Sequence, residues 1–158
     1  MRRLGIVSDS HDREIWLELW LDRCRRERYD AVFHLGDYYA DARWLERRLD
    51  APLIAVAGNC DMFSQQSRMA RWSWGGHRLL AVHGHLQDVK YGLEKLSYYA
   101  EEQGATIALF GHTHRPCAQM LGGVLLLNPG ALMDGCYAEL TLDGGRAVPI
   151  LRSLRDDD

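Results

Sequence analysis

The chain has 158 residues, a length that suits one domain, residues 1–158, with a sizeable core. Its net charge of −3 leaves no electrostatic case for nucleic acid or an anionic membrane surface as partner. No apolar run approaches the roughly 20 residues of a transmembrane helix. Asp9 interrupts the first apolar run before it reaches signal-peptide length. Cys24, Cys60, Cys117 and Cys136 form no C-x-x-C pair, so free thiols in a reducing, cytoplasmic setting are expected.

In chain order, Leu4–Ser8 reads as a buried strand. A helix follows to about Glu27, with Ser10 or Asp12 as its N-cap and Ile15, Trp16, Leu19, Trp20 and Cys24 on its apolar face. Ala31–Leu35 is a second buried strand, Ala40–Leu49 a short helix ended by Pro52, and Leu53–Ala57 a third strand. This βαβαβ order favours parallel pairing. Arg68–Trp74 and His77–Val82 flank Gly75-Gly76 as a hairpin. Val89, Leu93, Leu96 and Ala100 make one helical stripe, with Gly104 as C-cap. Thr106–Phe110 is another buried strand, and Cys117–Leu121, Val124–Leu127, Cys136–Leu142 and Arg146–Leu151 make a β-rich tail. The residues from Arg155 onward are expected to fray. The α/β first half and antiparallel second half predict two mixed β-sheets packed as a sandwich, with helices on the outer faces.

Polar residues with metal-binding chemistry follow the apolar runs. They are Asp9 and His11 after the first strand, Asp37 after Gly36, Asn59 after Gly58, His83 before Gly84, and His112 and His114 after Thr106–Phe110. In an extended segment residues i and i+2 point the same way, so Asp9 and His11 can reach one ion. Ligands in open α/β sheets bind beyond the carboxyl ends of strands. Imidazole, carboxylate and amide oxygen suit Mn, Fe, Zn, Ni or Co, and the absence of a thiolate set argues against a structural zinc knot. A carboxylate can bridge two ions, and two ions about 3.5–4 Å apart can activate water and neutralise a phosphoryl group. A lone D-x-H or H-x-H carries little; five such elements at strand ends carry a joint signal.

Asp9-Ser-His11, Gly-Asp37, Gly-Asn59-Cys-Asp61, His83-Gly-His85 and Gly-His112-Thr-His114 resemble, in type and order, the motif series of the calcineurin-like metallophosphoesterases. The Gly-Asn-Cys-Asp form and Asn128-Pro-Gly130 make the chain similar to the small YfcE-type phosphodiesterase branch. The resemblance runs from about Leu4 to Gly130. It implies that Asp9, His11, Asp37 and His114 hold one divalent ion, and Asp37, Asn59, His83 and His112 the other. Mn is the first choice, with Ni, Zn, Fe, Co or Mg open. Asp37 bridges, and a hydroxide shared by the ions attacks phosphorus in a small phosphodiester. Asp37, Asn59 and His83 are accordingly the expected catalytic centre.

Two positions depart from the family pattern. Cys60 stands where the wider superfamily has a proton-donating His, which favours diesters or good leaving groups. Asp12 stands where Gly is common and adds a negative charge near the ligands. His85 is expected either to act on a ligand or the substrate, or to be a loop residue that precedes a helix. The alternative reading is a non-catalytic scaffold of the same fold, as in a retromer subunit, that binds a protein partner. A metal-dependent nuclease is a third. A homodimer is the default assembly.

Other residues read as structural. His34 is a packed or hydrogen-bonded strand residue, His77 an exposed turn residue, and Asp61 a cap for the segment after it. Tyr38 or Tyr39 lines the site mouth or packs. Trp72 and Trp74 share a hairpin face as core or as an oligomer contact, and the Arg23–Arg28 run is a solvated helix face.

Overall fold

The computed structural model describes residues 1–61 and 65–156; Asp157 and Asp158, the end of the expected frayed tail, lie outside the described residues. The elements in order are β1 (Arg2–Val7), α1 (Glu14–Glu27), β2 (Ala31–His34), α2 (Tyr39–Glu46), β3 (Leu53–Ala55), β4 (Met69–Trp74), β5 (His77–Val82), α3 (Glu94–Glu102), β6 (Ile107–Leu109), β7 (Cys117–Leu121), β8 (Val124–Asn128), β9 (Cys136–Asp143) and β10 (Arg146–Ser153). Short 3-10 turns stand at His85–Gln87, Val89–Tyr91 and Leu132–Asp134.

Two five-stranded sheets result, ordered β10-β9-β1-β2-β3 and β4-β5-β6-β8-β7. Alternation along the strands divides the apolar residues between two faces. Leu4 and Ile6 of β1, Phe33 of β2, Leu79 and Ala81 of β5, Leu109 of β6 and Leu127 of β8 fill one core between the sheets. The opposite faces of the same strands meet helices. Val7 and Val32 pack under α1 through Leu17, Trp20, Leu21 and Cys24. Leu80, Val82, Ala108 and Leu126 pack under Leu96 and Ala100 of α3. This is the α/β sandwich of two mixed sheets with outer helices.

The halves do not divide as the sequence suggested. β1, β2 and β3 are parallel, but so are β5 with β6 and β6 with β8. Only β4, β7, β9 and β10 enter antiparallel, and β9 returns to pair with β1 of the first sheet. The parallel strands of both sheets thus bring several carboxyl ends to one side of the molecule.

Other expectations are corrected locally. Neither Ser10 nor Asp12 caps α1: the N-cap is Arg13 without a side-chain bond, because the Ser10 hydroxyl is committed to Asp41. Ile15 and Leu19 are exposed; the buried stripe is Leu17, Trp20, Leu21 and Cys24, at helical spacing of three and four. Val89 does not extend α3, because Gly92 at φ 142° breaks the stripe, and Val89 packs from its own 3-10 turn. His77 is buried rather than exposed, and its Nε2 lies 2.7 Å from the Gly144 carbonyl of the distant β9–β10 turn. Arg155 is anchored, with its Nε donating to the Asp134 carbonyl and its guanidinium over Trp16. Trp72 and Trp74 pack against the inter-sheet core, Trp72 edge-on to Phe33.

Trp20 is fully buried, with its ring 5.7 Å from Tyr29 and 5.0 Å from Tyr137. It joins α1 to the sheet that carries Asp9 and Asp37. Trp20→Ala is expected to cost about 3–5 kcal/mol, read by urea denaturation. A loss below about 1 kcal/mol would show that the cavity closes by collapse.

Candidate metal centre

Each ligand candidate sits just past a strand: Asp9 and His11 after β1, Asp37 after β2, Asn59 after β3, His83 after β5, and His112 and His114 after β6. The backbone there is not extended. Asp9, His11, Asp37, His112 and His114 have φ of 53°, 49°, 58°, 72° and 62°, left-handed values that non-glycine residues seldom adopt. The i, i+2 alternation therefore does not explain how Asp9 and His11 meet. Left-handed corners turn both side chains toward the gap between the sheets. Such strain persists only where the surroundings hold it, and it clusters at functional sites.

The surroundings are visible. Asp9 N donates to the Gly36 carbonyl, and its Oδ2 accepts from Ser8 Oγ at 2.7 Å and from His112 N at 3.0 Å. Asp37 Oδ1 accepts from Cys60 N at 2.9 Å. Each carboxylate thus has one oxygen held by the protein and one left facing the gap. Asp9 Oδ1 lies 3.8 Å from His11 Nε2, 3.7 Å from His83 Nε2 and 3.3 Å from His114 Nε2. Asp37 Oδ2 lies 3.6 Å from His11 Nε2 and 3.4 Å from His83 Nε2. Asp9 Oδ1, His11 Nε2 and His83 Nε2 are buried without a hydrogen-bond partner among the described residues.

Unpaired buried polar atoms are costly. Ligand atoms each about 2.0–2.2 Å from one ion stand roughly 3–4 Å from each other, so the orphaned atoms fit a cation. No Lys or Arg pairs with Asp9 or Asp37 among the described residues, so the two carboxylates need one. Ligand atoms mutually within 4.8 Å fall into three sets: Asp9, His11 and His114; Asp9, Asp37 and His83; and His11, Asp37 and Cys60. The sets overlap through Asp9, His11 and Asp37, so these residues form one continuous cluster of candidate ligands.

Charge and tautomer agree with this chemistry. The Leu35 carbonyl sits 2.7 Å from His83 Nδ1, which places the proton there and turns the Nε2 lone pair into the gap. Burial pulls the His83 pKa down, but Asp37 and Asp9 outweigh it and the net direction is up. Burial likewise pushes Asp37 up, while His83 and the Cys60 N–H hold it well below the usual carboxylate range. In the metal-free chain His83 and Asp37 thus each favour the charged form of the other. His112 is moved to about 4 by burial and then by His83 and Lys90, so it is a neutral imidazole at pH 7.

The remaining candidates lie further out. The His112 ring is 5.0 Å from His83 and belongs to none of the three close sets. Asn59 is exposed, and its amide approaches the Cys60 thiol rather than a carboxylate. His85 lies 5.5 Å from His83 and 6.1 Å from His112, with a buried, unpaired Nδ1. Asp12 is exposed and takes part through its N–H, which donates to Asp41 Oδ2 at 2.9 Å. The exposed Tyr38 sets its ring 5.6 Å from His11 at the mouth, while the Tyr39 hydroxyl donates to Gln66.

The supporting residues were mostly illegible in the sequence. Buried Asp41 accepts from Ser10 Oγ at 2.6 Å, and Ser10 also meets Nε2 of the fully buried His34 at 3.0 Å. Asp61 accepts from Tyr39 N at 2.7 Å and Gly58 N at 2.8 Å, tying the Asp37 loop to the Asn59 loop. The segment it was expected to cap lies outside the described residues. Asn128, at the end of β8, donates to the Gly111 carbonyl and Thr113 Oγ1 and so holds the His112–His114 loop. Asn128 had a signal in its Asn-Pro-Gly context; Asp41 and Ser10 had none.

The chain is similar to known proteins in sequence and fold. The calcineurin-like phosphoesterase superfamily domain matches residues 2–142. The probable metallophosphoesterase YsnB of Bacillus subtilis is 34% identical over 149 residues, covering 90% of this chain and 86% of that protein. The crystal structure of a predicted phosphoesterase from Streptococcus pneumoniae TIGR4 aligns with a TM-score of 0.78 at 31% identity, covering 98% of this chain and 90% of that one. The phosphoesterase YfcE of E. coli shares the fold, with a TM-score of 0.73 at 24% identity over 99% of this chain and 95% of that one. The chain belongs to the calcineurin-like phosphoesterase superfamily, with relatives named as metallophosphoesterases and YfcE-type phosphodiesterases.

Proposed function

We propose that this chain, acting as one domain over residues 1–158, is a phosphodiesterase of small diesters that works with two divalent metal ions. The observation that carries the reading is the convergence of three buried ligand atoms, Asp9 Oδ1, His11 Nε2 and His83 Nε2, unpaired among the described residues, at two carboxylates with no Lys or Arg partner among them. Asp9, His11, Asp37 and His114 would hold one ion, and Asp37, Asn59, His83 and His112 the other. Asp37 would be the shared ligand, as in the family pattern, and its free oxygen faces one histidine of each set, His11 and His83. The oxygen and nitrogen donors suit Mn first, then Ni, Zn, Fe, Co or Mg. When bound, such ions lower the pKa of water and neutralise charge on phosphate oxygens.

The chain's own part is positioning. Leu35 aims His83 through Nδ1, Cys60 N holds Asp37, and Ser8 and His112 N hold Asp9, so the ligands lose little freedom on binding. Cys60 is raised to about 11 by burial and then by Asp37, which leaves its thiol a poor proton donor to a leaving group. That favours diesters and good leaving groups. A Cys60→His variant is expected to raise cleavage of an alkyl monoester with a poor leaving group, glycerol 2-phosphate, relative to bis(p-nitrophenyl) phosphate by about tenfold. An unchanged ratio of kcat/KM values would show that proton donation from this position is not limiting.

All seven ligand positions carry a ligand-type residue, which favours an enzyme over a scaffold of the same fold. Cys24, Cys60, Cys117 and Cys136 are all free thiols, in keeping with a cytoplasmic setting. No helix among the described residues is long and apolar enough to cross a membrane.

The deciding experiment strips the protein of metal and restores Mn, Ni, Zn and Mg separately, with bis(p-nitrophenyl) phosphate and p-nitrophenyl phosphate as substrates. Diester cleavage restored by a metal, with little monoester cleavage, is expected. Folded protein that binds metal and cleaves neither would overturn the reading in favour of a scaffold.

A further inference from the structure

A cavity of about 580 Å³ lies beside the His112–His114 loop, within the size range of small-molecule sites. It shares Thr113 with the loop that carries His112 and His114. Val89, Leu93 and Phe110 make its apolar surface, and Lys90 and Arg115 its charged one. No carboxylate lines it, whereas two other surface cavities mix signs: Arg25 and Arg28 with Asp30 and Asp50 in one, Lys95 with Asp88 and Glu94 in the other. The chain has two lysines. Lys95 pairs with Asp88, but Lys90 has no acidic partner among the described residues, and neither does the Arg115 guanidinium. Two exposed cations left unneutralised beside one apolar hollow are a receptor for an organic anion.

We infer that this cavity binds a second anionic group of the substrate, so that the preferred diesters carry a further phosphate or carboxylate on an organic moiety seated against Val89 and Leu93. The inference rests on the phosphodiesterase reading above. Lys90 and Arg115 are specificity residues: they attract and orient the substrate and take no part in bond breaking. Arg115 offers a planar fork for two anion oxygens, and Lys90 a mobile point charge. Asn128 holds Thr113, the residue between His112 and His114 that also lines the cavity.

The test uses two esters that release the same leaving group: thymidine 5′-(4-nitrophenyl phosphate) and its 3′-phosphorylated form. The wild-type protein with metal restored should cleave both, with a higher kcat/KM for the 3′-phosphorylated ester through KM. Lys90→Gln and Arg115→Gln should each lower that preference about threefold, and the double variant about tenfold, as for partly solvated charge pairs. Raised salt should erode it in the wild type. Because the readout is a ratio on one protein, an indirect effect of Lys90 on metal loading through His112 cancels. Equal cleavage of both esters by the wild type, or a preference that survives the double variant, overturns the inference and leaves the phosphodiesterase reading intact. Cleavage of neither ester by metal-loaded protein overturns both.

Discussion

Asp37→Asn is expected to lower bis(p-nitrophenyl) phosphate cleavage by about a thousandfold and to weaken binding of both metal ions, not one. The change is isosteric, so the Cys60 N–H can still find the Oδ1 position and the fold is kept. What goes is the negative charge on the oxygen that faces His11 and His83, 3.6 and 3.4 Å away. An amide oxygen binds a divalent ion more weakly than a carboxylate and bridges two poorly. In the metal-free protein the same change should lower the His83 pKa. Burial opposes its protonation, and Asp37 is a leading cause among those that reverse that effect, with Asp9 and the Leu35 carbonyl. Calorimetric titration of stripped protein with Mn is the direct measurement. Two ions retained at wild-type affinity with full activity would falsify the sharing of Asp37 between ion positions.

Gly58→Ala is the second large effect, and it tests packing rather than charge. A Cβ at Gly58 would overlap Asp37 Oδ1 and stand 2.6 Å from Asp37 N and 3.0 Å from the His83 ring. None of these atoms is the free end of a flexible chain, because Asp37 is pinned by Cys60 N and His83 by the Leu35 carbonyl. Either the Asn59 loop backs away, breaking the Asp61 bond to Gly58 N, or Asp37 and His83 leave position. A cost of about 1–3 kcal/mol in stability and an activity loss of about a hundredfold or more are expected, since displacement of reacting groups by 1 Å has that scale. Gly145→Ala is the control, because nothing lies within 4 Å of its added Cβ. Wild-type activity in Gly58→Ala would mean that the two loops are looser than their hydrogen bonds imply.

Legibility differed by kind of feature. Buried strands such as Leu4–Ser8 and Thr106–Phe110 were clear because continuous apolar runs bounded by polar residues have few other uses. The sandwich was read from an α/β first half and an antiparallel second half, a division that the parallel pairs β5-β6 and β6-β8 do not keep. The pairing of β9 with β1 was not legible, nor was the parallel run β5-β6-β8, since local periodicity carries no record of which distant strand lies alongside. His77 was misplaced for the same reason: its partner is the Gly144 carbonyl, 67 residues away. Ser10 looked like a helix cap, and a better acceptor, Asp41, took its hydroxyl.

The same division runs through the candidate site. The sequence by itself determined the family, through its motif series, and offered the candidate donors in order, because each follows an apolar run that ends at a strand end. Only the tertiary structure decided which atoms meet. Asp9 Oδ1 faces His83 as well as His11 and His114 because left-handed corners, held by long-range bonds, turn the chain there. Asp61 and Asn128 hold loops remote in sequence, and Lys90 and Arg115 come to one hollow from a 3-10 turn and a strand-end loop. The physical reason is common to all of these. A residue's type and its neighbours' periodicity fix whether it leaves water, whereas the direction of its side chain past a strand end depends on one or two backbone angles that distant contacts impose.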